Sequence, residues 1–298
     1  MNAPIALPTQ RVTFQYVLIL EWLDARDDKT GTELHEFLLT LGFPTALVVC
    51  QSADDVRRAI SEAARTVETN GIPLVHIESH GDHPANPADA TFGANGVEGM
   101  SWRELGRLLA PINVASDFRL LIVGATCFGL GAIGGMEVHS HPAPFAACIG
   151  WTTSVGADSL RDALRALYQS MATGAGLKRS VESAARELRD ATENFQVTSA
   201  PALAYRVMHG VHSDVHTPVS MHARVKRLVE RMHRDGRPPP QAMVDDLPRL
   251  LRERSKVHMQ EAWNIWFPPS VQEREAAYRL DWAVVERLFT DSATIVAG

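Results

Sequence analysis

The feature that most constrains this chain is a set of five apolar runs of strand length, separated by segments with helical spacing. Phe14–Trp22 (FQYVLILEW), Thr45–Cys50 (TALVVC), Ile72–Ser79 (IPLVHIES), Leu120–Ala125 (LLIVGA) and Phe145–Trp151 (FAACIGW) are nearly unbroken in apolar character. A strand that is apolar on both faces must be covered on both faces, which is the situation of a parallel sheet. Between the first two runs, Leu34, Phe37, Leu38 and Leu41 recur at helical spacing, and Gly42 stands where a helix stops. Ser52–Thr69 opens on Ser52 or Asp54 as a cap and carries the stripe Val56, Ile60, Ala63 and Val67. A Gly-rich stretch, Thr91–Gly99, precedes a short predicted helix from Ser101 to Leu109 with Trp102, Leu105 and Leu109 inward. After the fifth run, Asp158–Ala172 and Leu177–Asn194 read as helices and Ala202–Met208 as a sixth strand. The alternation predicts an α/β fold with a mostly parallel sheet.

The texture changes near His212–Pro218, and the segments beyond read as helices. Residues 1–210 carry 16 basic and 23 acidic side chains, against 13 and 12 in residues 211–298. The expectation is an α/β domain over 1–210 and a helical C-terminal extension over 211–298. With 298 residues, 45% of them apolar, the chain can bury a large core. A formal charge of −6 disfavours a general polyanion binder, so no direct nucleic-acid partner is expected. No apolar run reaches the length of a membrane span, and Met1–Arg11 lacks the pattern of a secretory signal, so a cytoplasmic location is expected without membrane contact. Three cysteines without a C-x-x-C pair fit neither a disulfide framework nor a thiolate zinc site.

In sheets of this kind ligands sit at the carboxyl ends of strands. His80, Cys127 and Thr152–Asp158 all fall at such ends. Cys50 and Cys148 lie in or at the margin of apolar strands and read as packing residues, whereas Cys127 follows its strand, between Thr126 and Phe128-Gly129. A thiol beside an imidazole is a nucleophile with its base: the His takes the thiol proton and later protonates the leaving group. Gly81, directly after the His, permits close approach of the backbone to a substrate carbonyl, and its N–H can donate to an oxyanion.

Several strings carry a resemblance. GTELHEFLLTLGFPTALVVCQSADDVRRAI resembles the first helix, second strand and second helix of the caspase-like fold. VHIESHG and LLIVGATCFG are similar to its His-Gly and Cys strands. Cys127 lies 47 residues after His80, close to the roughly 50 of caspases. SWRELGRLLAPIN and HIESHG are more similar to the bacterial CHAT-type branch. The resemblance covers roughly residues 14–175. It implies a three-layer α/β/α sandwich, with Cys127 as nucleophile, His80 as general base and acid, and Gly81 N–H as oxyanion donor. The implied reaction is peptide-bond hydrolysis through a thioester, without metal or organic cofactor, on a protein or peptide substrate. It further implies a triggered protease of defence or cell-death pathways. Residues 211–298 lie beyond the resemblance and are expected to be a regulatory region or the docking region for an activating protein.

The chain departs from the caspase pattern in two places. Ala-Thr-Cys-Phe-Gly replaces Gln-Ala-Cys-x-Gly, and the stretch after the fifth strand is uncharged until Asp158, where caspases have an Arg. Cleavage after Asp is therefore not transferred. The first strand-to-helix turn is acidic (Glu21, Asp24, Asp27, Asp28), which either favours Lys or Arg before the cut bond or simply caps a helix. Asp24, Thr153 and Asp158 are the candidate substrate contacts.

Other readings use the same residues. Glu78-Ser-His80-Gly-Asp82-His83 also resembles the H-x-H-x-D-H motif of metallo-β-lactamase-type hydrolases, with His139 and His141 as further ligands, but its first ligand is changed and the preceding α/β pattern differs. A caspase-like scaffold that only binds partners is the non-enzymatic alternative. His76 and Glu78 share the sheet face of His80 and either orient it or are buried polar residues satisfied by neighbours. The loop Phe128–Pro144 has no Asp, Lys or Arg, so self-cleavage there is not expected, and control falls to a partner or to reshaping of the loop. In the extension, Val219–Met232 and Ala276–Phe289 are amphipathic. Trp263, Trp266, Phe267 and Trp282 either anchor a partner or pack internally.

Overall fold

A computed structural model describes residues 13–82, 89–94, 99–133, 136, 141–188, 195–215 and 217–285. The chain divides into two compact units, Met1–Ala202 and Leu203–Gly298.

The first unit runs β1 (Tyr16–Trp22), α1 (Thr30–Thr40), β2 (Thr45–Val49), α2 (Ala53–Asn70), β3 (Pro73–Gly81), β4 (Thr91–Gly93), β5 (Met100–Ser101), α3 (Trp102–Ala115), β6 (Leu121–Ala125), α4 (Gly129–Ala132), β7 (Ala147–Trp151), α5 (Ala157–Ala172), α6 (Leu177–Glu187) and β8 (Phe195–Ser199). The main sheet has the order β2-β1-β3-β6-β7-β8. Its pairings are parallel except at the edge, where β8 runs antiparallel to β7. The five apolar runs are its parallel strands.

Alternation sorts each strand's side chains between two helical layers. Val17, Ile19, Leu74, Leu121, Val123, Ala147 and Ile149 form one core with Leu34 and Leu38 of α1, Leu160, Leu164 and Leu167 of α5, and Val181 and Ala184 of α6. The opposite face carries Leu18, Leu20, Val75, Ile77 and Ile122, all buried, and meets α3, whose Trp102 ring lies against Gly124. Helix α2 packs beside α3 and is tied to it by the Arg57–Glu104 ion pair at 2.6 Å. Ser52 caps α2 through a reciprocal bond pair with Asp55, as its sequence suggested.

Three sequence-based assignments are corrected. Ala202–Met208 is not a strand; it lies in helix α7 (Ala200–Val215), and the edge strand is the preceding Phe195–Ser199. Ala204 and Met208 are both buried and four apart, a helical interval that a short apolar run hides. The helix expected over Ser101–Leu109 starts at Trp102, with Ser101 accepting from Glu104 N–H at 3.1 Å, and continues through Pro111 to Ala115. The helix from Leu177 ends at Glu187, and 189–194 lie outside the described residues.

The third strand runs two residues past its apolar run, through His80 and Gly81. An antiparallel β4–β5 hairpin pairs with these residues (His80 with Gly93, Gly81 with Phe92). The extra pairing supplies partners for backbone groups that would otherwise leave the sheet.

The second unit takes in the rest of α7, then α8 (Pro218–Arg234), α9 (Gln241–Trp266), α10 (Pro269–Arg274) and a 3-10 turn at Ala276–Tyr278. Trp263, Trp266, Phe267 and Tyr278 are buried in a cluster with Tyr205. Trp263 Nε1 donates to the Tyr278 carbonyl at 2.7 Å. These side chains therefore build the unit's own core instead of presenting anchors to a partner. Trp282 is half-buried, with the Lys256 ammonium 5.7 Å from its ring centre. Among the described residues no helix is long and apolar enough to cross a membrane.

Candidate active site

Strand register brings the proposed dyad together. β3 and β6 are paired in parallel as far as Glu78 with Ala125. His80 and Cys127 stand two residues beyond this last pair, Cys127 in the turn that follows β6. The strand ends are packed tightly: a Cβ on Gly81 would lie 2.2 Å from the Cys127 carbonyl oxygen, so only glycine fits there. His80 and Cys127 both line one cavity of about 340 Å³ at the carboxyl edge of the sheet.

Cys127 sits in a tight turn. Gly129 N–H donates to the Thr126 carbonyl at 3.2 Å, and Phe128 holds a left-handed conformation (φ 57°) that a bulky residue adopts only under constraint. The constraint includes a bond from Phe128 N–H to the Thr153 carbonyl, 3.1 Å. The Cys127 thiol lies 3.9 Å from the Val155 carbonyl and is partly exposed. The other two cysteines differ in kind. Cys50 and Cys148 are buried, and burial pushes the Cys50 thiol up to about 12 and the Cys148 thiol higher still.

His80 has a partner that the sequence reading did not assign. Its Nε2 is 2.8 Å from Asp27 Oδ2, on the loop that follows β1. The same oxygen accepts Asp24 N–H at 2.8 Å, which fixes the carboxylate. The bond from His80, helped by the Asp24 amide, holds the Asp27 carboxyl below the usual carboxylate range. With Nε2–H directed at Asp27, Nδ1 is the nitrogen left with a lone pair, and among the described residues it has no hydrogen-bond partner. The available signal was topological: β1 pairs with β3 up to Trp22 with Ser79, so loops leaving these two strands must meet.

The acidic turn is divided among several tasks. Glu21 is buried and accepts from Thr32 N–H at 2.7 Å and Thr32 Oγ1 at 3.1 Å, neutralising the start of α1. Asp28 is 3.9 Å from the Arg161 guanidinium. Asp24 places a carboxylate oxygen within 4.8 Å of ligand atoms of Asp27 and His80. The cavity wall itself includes Arg26, Asp27, Asp28 and Glu78. Thus the turn does not present four free carboxylates to a substrate.

Asp24, Thr153 and Asp158 are not in the wall of the cavity that holds His80 and Cys127. Thr153 supports the cysteine turn through its carbonyl. Asp158 is exposed, accepts from Arg161 at 2.7 Å, and lines a neighbouring cavity of about 350 Å³ with Asp28 and Asp162. Both cavities belong to the first unit.

His76 and Glu78 resolve as a buried network. His76 Nδ1 is 2.8 Å from Tyr168 Oη, and Nε2 is 3.0 Å from Glu78 Oε1. Glu78 Oε2 accepts from Thr30 Oγ1 at 2.8 Å. Neither bonds to His80. The metal-motif grouping fares differently: Asp82 accepts from Thr91 N–H (2.7 Å) and Oγ1 (2.9 Å) within the hairpin, and His83 and His139 lie outside the described residues. His141 Nδ1 is 2.8 Å from the Pro142 carbonyl. Among the described residues the His and acidic groups that converge are Asp24, Asp27 and His80, a different set from that motif.

Neither the family models nor the curated proteins compared with this chain match it.

Proposed function

We propose that the chain is a caspase-like cysteine peptidase of the CHAT-type branch, with Cys127 as nucleophile and His80 as its base and acid. The observation that carries this reading is the contact of Gly81 with the Cys127 carbonyl, which puts a partly exposed thiol and a half-exposed imidazole in the wall of one cavity. The parallel sheet covered on both faces, with both residues at the carboxyl ends of adjacent strands, supports the same reading.

The chemistry follows from the groups present. His80 Nδ1 takes the Cys127 proton while Nε2–H stays on Asp27. The thiolate sulfur then attacks the substrate carbonyl carbon, and the resulting oxyanion is stabilised by the Gly81 N–H. Transfer of the proton from Nδ1 to the amide nitrogen releases the amine and leaves a thioester. Water, deprotonated by the same nitrogen, attacks the thioester and returns the thiol. Asp27 holds the tautomer and offsets the imidazolium charge, the part a carboxylate plays in a nucleophile–His–acid set. The substrate is a protein cut at few sites in a cytoplasmic defence or cell-death response. An activating protein docks on the C-terminal extension, since Phe128–Pro144 offers no Asp, Lys or Arg for self-cleavage.

The test compares the wild type with Cys127→Ala on cellular proteins, read by mass spectrometry of newly formed N-termini. Termini that appear only with the wild type are the expected result. An identical pattern from both proteins would overturn the peptidase reading.

A further inference from the structure

The net charge of the chain conceals a strongly basic surface on α8. From Pro218 to Arg237 there are six Lys and Arg residues, two His and only two acidic residues, Glu230 and Asp235. Arg224, Arg227, Arg231 and Arg234 are spaced three, four and three apart, so they form one line on the helix, about 15 Å long at 1.5 Å per residue. Arg227, Arg231 and Arg234 are exposed, as are Lys226, His222, His233 and Arg237 around them.

Two other helices pair some of their cations. On α2, Arg57 holds Asp54 and Glu104, Arg58 holds Asp55, and Arg65 holds Glu62. On α9, Arg249 holds Asp246 and Glu253. The Arg residues of α8 form no ion pair among the described residues. In addition, Arg224 Nη1 is buried without a hydrogen-bond partner among them. Like charges at these intervals disfavour a helix slightly, a cost that an anionic partner would offset.

We propose that this face of α8 docks on the phosphate backbone of a nucleic acid. Three observations select that partner. The side chains are Arg in five cases of six, and the planar guanidinium matches a phosphate in a bidentate way. Of the larger apolar residues of α8, Met221, Val225, Leu228, Val229 and Met232 are buried or half-buried and Val219 alone is exposed, which leaves no continuous apolar face to insert into a lipid surface. The basic line also lacks the uncharged centre on which a protein partner would be seated, whereas nucleic-acid interfaces are polar and positive throughout. The contact is to the backbone, so it is independent of base sequence. The overall charge of −6 sets the long-range repulsion that this local surface overcomes.

The test uses the full chain with a fluorescein-labelled 20-base-pair DNA duplex, followed by anisotropy from 25 to 300 mM NaCl. Binding at 50 mM NaCl is expected, weakening with salt at about 0.9 log units per phosphate contacted. R227Q/R231Q/R234Q should reduce that salt slope by roughly 3 and weaken binding at least about tenfold, and R231Q alone should reduce the slope by about 1. Circular dichroism melts check that both variants fold, and the single variant decides the matter if the triple one does not. Absence of binding at 50 mM NaCl, or unchanged binding by folded variants, overturns the proposal. So does tighter binding to vesicles containing 30% phosphatidylserine, or competition by polyglutamate equal to that of unlabelled duplex at matched charge.

Discussion

Two histidines four residues apart on β3 provide an internal comparison. Both point to the same side of the sheet, and each is bonded to a carboxylate through Nε2: His76 to Glu78 at 3.0 Å and His80 to Asp27 at 2.8 Å. The His76 side chain is fully buried and uses its second nitrogen on Tyr168, which is itself buried. The His80 side chain is 40% exposed, its second nitrogen has no hydrogen-bond partner among the described residues, and it lines the same cavity as the Cys127 thiol. A His–carboxylate pair is therefore not by itself a mark of chemistry. Position along the strand decides: the interior of β3 lies under α1 and α5, while its carboxyl end opens where the helices have yet to begin.

Four experiments would break or sharpen this contrast. The largest effect is expected on the proposed peptidase activity. His80→Ala should lower it by about a thousandfold, with stability within about 0.5 kcal/mol of wild type, because the side chain is half exposed. Similar losses from His76→Ala and His80→Ala, in both activity and melting, would erase the distinction. Thiol chemistry gives the next test. Cys50 and Cys148 are buried and their thiols are pushed up by burial, whereas Cys127 is partly exposed, so at pH 8 iodoacetamide should modify Cys127 much faster than either, as peptide mapping would reveal.

His76→Ala addresses the buried half. It strands the Glu78 carboxylate and the Tyr168 hydroxyl without their partner, so denaturant unfolding should show a loss of about 3 kcal/mol. Unaltered stability would mean that the network contributes nothing. Asp27→Asn is the subtlest change. It should cut activity roughly 10- to 100-fold by releasing the imidazole tautomer, while KM stays close to wild type. It should also alter acid stability in a defined direction. Since the folded Asp27 carboxyl is held below its unfolded value of about 3.9, its contribution is present above that pH and lost as pH falls through the folded value. Wild type should consequently lose more stability than Asp27→Asn between roughly pH 4 and pH 2. Parallel acid-unfolding curves would count against the Asp27–His80 bond.

Much of the sheet was legible because each central strand is a near-continuous apolar run. A chain segment apolar on both faces has few places to be other than between two layers. The edge was not legible. β8 is five residues long, FQVTS, with too few apolar side chains to form a run, and the more apolar segment beside it, Ala202–Met208, is helical. Where a run is short, apolar content alone does not separate the two periods. At the candidate site, Cys127 and His80 stood out because each closes an apolar strand, which is a local signal. Asp27 did not, because its role depends on β1 lying beside β3, a pairing between segments some fifty residues apart. The C-terminal aromatics show the same limit. Trp263 and Trp266 could be recognised as large apolar groups, but only packing against Phe267, Tyr278 and Tyr205 reveals that they are interior.

The sequence by itself determined that this chain builds a mostly parallel α/β sheet and that a thiol and an imidazole stand at strand ends, because hydrophobic period and strand termination are properties of neighbouring residues. Only the tertiary structure decided which carboxylate holds His80, which histidine is sealed, and which cations form ion pairs. Those outcomes depend on distances between segments remote in the chain, and electrostatic and hydrogen-bond energies are set by such distances and by burial.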